Sequence, residues 1–141
     1  MKIRIPLVFL WVGFVSAISF MEAWLKFTAP GVTLTTGLAI GQVVFGASNK
    51  VELIIALLLG ALIAVDKPRS ISQNTLFILA VLLLLFQTVY ALPILSSRID
   101  IYLSGKTPAG SSLHMTYFLV EIVKVLTLNI YGLNELKKLE K

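Results

Sequence analysis

The sequence predicts an all-α integral membrane protein, a four-helix bundle with an additional short interfacial helix between spans one and two. Hydrophobic residues make up 57% of the 141-residue chain and charged residues only 13%, whereas a soluble domain carries roughly 25% charged residues. Four apolar segments approach the ~20 residues that a helix needs to cross the hydrocarbon core. Because backbone groups in lipid must pair within their own segment, these segments are predicted to be helices.

The first predicted span covers residues 5–27 and follows the basic residues Lys2 and Arg4. Pro30 and Gly31 end this helix, since proline cannot continue a helical hydrogen-bond ladder. A signal peptide is the alternative interpretation, because a basic start, an apolar run and the small residues at 15–17 resemble a cleavable leader. We favour a retained span.

An apolar stretch at residues 33–46 follows, and it is too short to cross a membrane alone. We predict an interfacial helix here. A re-entrant segment and the first turns of a long, tilted second helix are the alternatives. Gly37, Gly41 and Gly46 would allow close packing or a bend in any of these arrangements.

Three more spans are predicted at residues 49–65, 75–95 and 113–133, and the whole chain, 1–141, forms one domain. Small residues recur every four positions at Ala56, Gly60 and Ala64 in span two and at Gly13 and Ala17 in span one. Such spacing lets helix backbones approach each other in lipid. Chance is the alternative explanation in a chain rich in alanine and glycine.

The net charge of +5 does not indicate nucleic-acid binding, because the basic residues are dispersed near the ends of apolar runs. Placing both termini in the cytoplasm puts more basic residues on the cytoplasmic side, as the positive-inside rule requires. The protein is therefore predicted to be a multi-pass protein of the inner (cytoplasmic) membrane. The cytoplasmic set comprises Lys2, Arg4, Lys67, Arg69, Lys137, Lys138 and Lys141, and the opposite set Lys26, Lys50, Arg98 and Lys106.

Composition excludes several kinds of chemistry. The chain has no cysteine and a single histidine, His114, so no cysteine nucleophile and no multi-histidine metal or haem site is predicted within one chain. It contains no nucleotide-binding, metalloprotease or serine-hydrolase motif. We predict no catalytic residue, no metal and no cofactor.

The fourth span carries polar residues along one face. His114, Tyr117, Glu121 and Lys124 follow 3-4-3 spacing. Two charges near a helix centre raise the free energy of membrane insertion by roughly 5–7 kcal/mol. The eleven large apolar residues of this span lower it by about 3–7 kcal/mol. Because the sum is near zero, the polar face is predicted to point into the bundle.

Spans one and three carry polar residues at a similar predicted depth, in the outer half of the membrane. One interpretation is a structural network in which Glu22 pairs with Lys124, and Glu121 pairs with Lys26 or a neighbour. The other is a ligand-binding site. Glu52 was assigned neither role, because an acid at the start of span two favours the helix N-terminus. The candidate residues are Glu22, Lys26, Gln87, Tyr90, His114, Tyr117, Glu121 and Lys124.

Four segments resemble a family of small bacterial four-span membrane proteins, most of them of unknown function. They are FMEAWLKFTAPG at 20–31, GLAIGQVVF at 37–45, QTVYALPILSSRID at 87–100 and SSLHMTYFLVEIVKV at 111–125. The resemblance implies a four-span fold with an interfacial helix before span two. It implies no reaction.

Three functional hypotheses follow. The first is a protein that binds, or helps to move, a small molecule or lipid through the polar cluster. The second is a structural or accessory subunit of a membrane complex, including a homo-oligomer. The third, ranked last, is a membrane enzyme that uses His114 and Glu121. The expected partners are the lipid bilayer and one of these ligands or complexes, with no nucleic acid.

Overall fold

The computed structural model describes residues 3–65 and 74–139, which form four long helices. They are α1 (Arg4–Thr28), α2 (Leu34–Val65), α3 (Thr75–Leu103) and α4 (Leu113–Lys137). Each is long and apolar enough to cross a membrane, and the described residues contain no β-strand. The prediction of an all-helical protein with four candidate spans is confirmed at this level.

All four helices extend beyond their predicted spans, α2 and α3 by the most. The stretch predicted as a separate interfacial helix is instead the first part of α2, which runs without interruption for 32 residues. No proline separates residues 34–46 from the second span, so nothing in the chain breaks the helix there. At 1.5 Å per residue α2 is ~48 Å long, more than the ~30 Å hydrocarbon thickness. Helix α3 likewise continues past residue 95 to Leu103.

Both α1 and α3 contain a wider π-helical turn, at Ala17–Glu22 and Gln87–Ala91 respectively. Each turn lies within a helix that continues on both sides. Such turns are rare in helices and are often found at functional sites, because the extra residue shifts the side chains that follow it.

The helices are arranged around the bundle in chain order. Helix α4 packs along α1 on one side and α3 on the other, and α2 packs against α1 and α3. Apolar side chains fill the centre, among them Val8, Trp11, Leu59, Leu84 and Leu128. The outward faces carry exposed leucine, isoleucine and valine on every helix, as expected where lipid is the solvent.

Side chains of α1 pack directly against the backbone of α4 at Gly132. A Cβ atom at this position would lie 2.9 Å from Cζ of Phe9 and 3.2 Å from Cγ1 of Val8. By contrast, Gly13 has no neighbour within 4 Å of a Cβ position, and Gly60 has only Phe77 at 3.9 Å. The small residue that α1 and α4 require is therefore Gly132, which the small-residue pattern did not identify.

The bundle has two distinct ends. The termini end contains the start of α1 and the end of α4, and the loop end contains residues 29–33 and 104–112. At the termini end Arg4, predicted to be a surface topology charge, is buried and lies 3.8 Å from Glu135. Glu135 also pairs with Lys138 at 2.6 Å. The topology residues Lys2, Lys67, Arg69 and Lys141 lie outside the described residues.

Candidate functional site

A group of polar side chains lies at the centre of the bundle, around Lys124. The Lys124 ammonium lies 2.6 Å from Oε2 of Glu52 and 3.1 Å from Oε2 of Glu121. It also donates a 2.7 Å hydrogen bond to Oε1 of Gln87. Trp11 donates through its indole nitrogen to Oε2 of Glu52 at 2.8 Å. These five residues, here called the central ion cluster, come from all four helices.

The central ion cluster is sealed from solvent. Each of its five side chains is at most 2% exposed. Removing charges from water costs several kcal/mol per ion unless partners and hydrogen bonds compensate, and here one ammonium has two carboxylates as counter-ions and an amide oxygen as a hydrogen-bond acceptor. The cluster also joins α2 to α4 across the bundle, which apolar packing alone does not specify.

Local structure explains how these side chains meet. Glu121 and Lys124 are three residues apart and therefore share one helix face. Gln87 is the first residue of the π turn in α3, and its carbonyl oxygen points at Lys124. The other amide atom of Gln87, Nε2, has no hydrogen-bond acceptor among residues 3–65 and 74–139. Gln87 therefore serves the cluster as an acceptor.

The interpretation of Glu52 as a residue at a helix N-terminus is wrong. Helix α2 begins at Leu34, so Glu52 lies well inside it. Its carboxylate belongs to the ion cluster and is the nearer of the two acids to Lys124. The sequence feature that could have identified Glu52 is an acid within an apolar run of helical length. Glu121 has the same feature.

The predicted pairing of Glu22 with Lys124 is also wrong, and of the two partners predicted for Glu121, Lys26 or a neighbour, the structure shows the neighbour, Lys124. Glu22 pairs with Lys26 within α1, at 3.3 Å. Trp11 marks the level of the cluster on α1, and Glu22 lies eleven residues further on, or ~16 Å along the axis. The two charged sets therefore lie at different depths.

Above the central ion cluster, towards the loop end, all four helices line a cavity of about 540 Å³. This volume falls within the ~300–1,000 Å³ of typical small-molecule sites. The wall residues that lie closest in the sequence to members of the cluster are Asn49, Thr88 and Tyr117. Asn49 donates to the Thr88 hydroxyl at 2.9 Å. We call this space the loop-end cavity.

Three basic side chains line the loop-end cavity: Lys26, Arg98 and His114. The ammonium of Lys26 lies 5.5 Å from the ring centre of Phe27 and 5.3 Å from that of Phe45. Its closeness to α2 depends on Gly41, where a Cβ would lie 2.8 Å from the ammonium nitrogen. Arg98 donates to the backbone carbonyl of Ala109, and His114 is exposed.

Tyr117 lies between the two parts of the site. It lines the loop-end cavity and packs edge to face against Phe45, with ring centres 5.7 Å apart. Tyr117 lies one helical turn before Glu121 on the same face of α4. Along α4, Tyr117 is therefore situated between the loop-end cavity and the central ion cluster.

The structure thus divides the predicted residues into two groups and leaves one aside. Gln87, Glu121 and Lys124 lie in the cluster, whereas Lys26, His114 and Tyr117 line the cavity, with Glu22 beside Lys26. Tyr90 belongs to neither, since it is 54% exposed and stacks on Phe86. Sequence reasoning missed Trp11, Glu52, Gln42, Asn49 and Arg98 as members of the site.

Comparison of the chain with protein-family models, with curated proteins and with solved structures finds no match. The described parts of the chain contain no group of three His, Cys, Asp or Glu side chains that could hold a metal ion. The geometry of the site is therefore the basis for any functional assignment.

Proposed function

We propose that this chain is a multi-pass protein of the inner membrane, with both termini in the cytoplasm, that binds or helps to move a small molecule or lipid. The observation that carries the proposal is the loop-end cavity, which all four helices line with both polar and apolar groups. Ligand sites between helices of a bundle combine an apolar wall with a few polar groups that orient the ligand.

The two parts of the site have different roles in this proposal. The central ion cluster holds the helices at a set depth, because each charged member has its partners within the protein. The loop-end cavity is the part that accommodates another molecule. Hydrogen bonds from Gln42 stabilise the wall of the cavity. The Gln42 amide donates to Ser96 and, at 3.0 Å, to Asp100 across the α2–α3 interface.

Filling the cavity tests the proposal. Gly46 lines the cavity and has no atom within 4 Å of a Cβ position, so Gly46→Leu places a side chain in the open space without a backbone clash. We expect the wild-type protein, extracted in a mild nonionic detergent, to retain small molecules or lipids in native mass spectra. The Gly46→Leu variant should lose them.

Gly13→Leu is the matched control, because Gly13 also lacks neighbours within 4 Å but lies on the exposed face of α1, away from the cavity. It should retain the same bound species as the wild type. A wild-type protein without bound species, or a Gly46→Leu variant that keeps them, would contradict the proposal.

The subunit hypothesis is a second candidate, and the outward position of Gly13 and Ala17 favours it. A small-residue face turned towards lipid suits packing against another membrane helix. Gly13→Leu would then reduce the assembled mass measured by light scattering, whereas Gly46→Leu would not. The enzyme hypothesis lacks comparable support, because His114 lines the cavity and Glu121 lies in the cluster, two helical turns or ~10 Å apart.

A further inference from the structure

We infer that the ligand of the loop-end cavity is an organic anion, with a phosphate or carboxylate group beside Arg98 and His114 and an apolar body against the aromatic wall. This inference rests on the proposed function, since it names the chemistry of the molecule that the cavity accommodates. It follows from the charges of the wall, from their existing partners and from the composition of the remaining surface.

The charges of the wall are all of one sign. Lys26, Arg98 and His114 are its basic groups, and among the lining residues within 3–65 and 74–139 there is no aspartate or glutamate. The carboxylate of Asp100, two residues after Arg98, lies outside the wall and accepts a hydrogen bond from Gln42. A concave surface with basic groups and no acids concentrates anions and repels cations.

The basic groups differ in how far they are already compensated. Lys26 has a carboxylate partner, Glu22, at 3.3 Å and is only 9% exposed. Within the described ranges no carboxylate lies within 4.0 Å of Arg98, whose one recorded partner is the carbonyl of Ala109. A guanidinium has five N–H donors in a planar fork that matches phosphate and carboxylate oxygens. Arg98 is therefore the principal anion-binding group, with His114 as a second donor on α4.

The rest of the wall explains why the anion is expected to be organic. Phe27, Phe45, Leu38, Leu92 and Leu95 line the same cavity. A free inorganic anion would leave this apolar surface without a partner, whereas a molecule with an apolar body would bury it. Each methylene group buried against this surface adds favourable transfer free energy.

The test compares probes that share one tail. Dodecyl phosphate, dodecanol and dodecyltrimethylammonium are each titrated into the purified protein in a nonionic detergent, together with inorganic phosphate alone. Binding is measured by native mass spectrometry and by the shift in unfolding temperature. We expect dodecyl phosphate to bind most tightly and to raise the unfolding temperature, because a ligand of the folded state stabilises it by mass action.

Arg98→Gln should weaken dodecyl phosphate binding by at least about tenfold, the value of one charge-assisted hydrogen bond, and should leave dodecanol binding unchanged. Arg98→Lys keeps the charge and should weaken dodecyl phosphate binding less than Arg98→Gln does. Lys106→Gln is the matched control, since Lys106 is an exposed cation at the same end of the bundle but outside the wall. Circular dichroism establishes that each variant is folded.

The outcomes separate this inference from the proposed function. If dodecanol or the ammonium probe binds as tightly as dodecyl phosphate, and Gly46→Leu blocks it, the anion inference is overturned and the binding function stands. If inorganic phosphate binds as tightly as dodecyl phosphate, the organic part of the inference is overturned. If Gly46→Leu abolishes the binding of none of the probes, both the anion inference and the proposed binding function are contradicted. Equal binding of two-chain phosphatidic acid would support the inference and identify a lipid headgroup as the source.

Discussion

Lys124 has a carboxylate or amide oxygen from each of α2, α3 and α4 within 3.1 Å of its ammonium and no exposure to solvent. Neutralising one partner of a buried ion pair usually costs more than the pair contributes, because the remaining charge has neither solvent nor counter-ion. At this position two carboxylates, Glu52 and Glu121, depend on one ammonium. The stability of the bundle is therefore expected to depend more on Lys124 than on either acid.

We predict that Lys124→Met lowers the free energy of unfolding by roughly 3–5 kcal/mol, the usual cost of removing one member of a buried pair. Denaturant-induced unfolding in detergent, followed by circular dichroism, measures the change. Lys50→Met is the control, since it removes an exposed lysine of α2. The triple variant Lys124→Met, Glu52→Gln, Glu121→Gln leaves no charge in the cluster and should be less destabilised than Lys124→Met alone. Equal midpoints for Lys124→Met and Lys50→Met would refute the prediction.

At the scale of the helices, α1 and α4 are held together by close packing and by charge. Gly132 allows Phe9 and Val8 to approach the α4 backbone, and the pair of Arg4 and Glu135 joins the same two helices at the termini end. Helix packing in lipid relies on such close contacts, because lipid tails are as apolar as the side chains they would replace.

Gly132→Leu should force α1 and α4 apart and destabilise the fold by about 1–3 kcal/mol, the usual cost of overpacking a core. Gly13→Leu makes the same chemical change on the exposed face of α1 and should leave the unfolding free energy within about 0.5 kcal/mol of wild type. Both values come from denaturant titrations in the same detergent. If the two variants unfold together, Gly132 does not set the spacing of the helices.

The sequence predicted the helices much better than their contacts. Apolar length identified four helices, and 3-4-3 spacing placed Glu121 and Lys124 on one face of α4. Neither signal indicates the depth at which two helices face each other. An axial offset between helices changes which residues meet: Glu22 on α1 lies ~16 Å from the level of Lys124, whereas Glu52 on α2 lies beside it.

At the scale of the whole molecule, the middle of the bundle is closed and its loop end is hollow. The central ion cluster and the apolar core fill the middle, and the loop-end cavity lies between them and the loop end. In the proposed orientation the cavity lies in the outer half of the membrane. The orientation of the protein in the membrane then decides from which side a ligand enters the cavity.

Single cysteines test this orientation, because the chain contains none of its own. Lys106→Cys and Lys137→Cys replace exposed residues at the loop end and the termini end respectively. In intact cells a membrane-impermeant maleimide should label the first variant, and the second only after the membrane is permeabilised. The reverse pattern would place the loop-end cavity on the cytoplasmic side.

The amino-acid sequence by itself determined four helices and an inward-facing polar side on α4, because both follow from local quantities: apolar length, hydrogen bonding within a segment, and residue spacing. Only the tertiary structure decided that Lys124 meets Glu52, that Trp11 reaches an acid 41 residues away, and that Lys26, Arg98 and His114 surround one cavity. These outcomes depend on the relative depth of the helices along their axes. Side-chain packing across the whole bundle sets that depth, and no single segment contains the information.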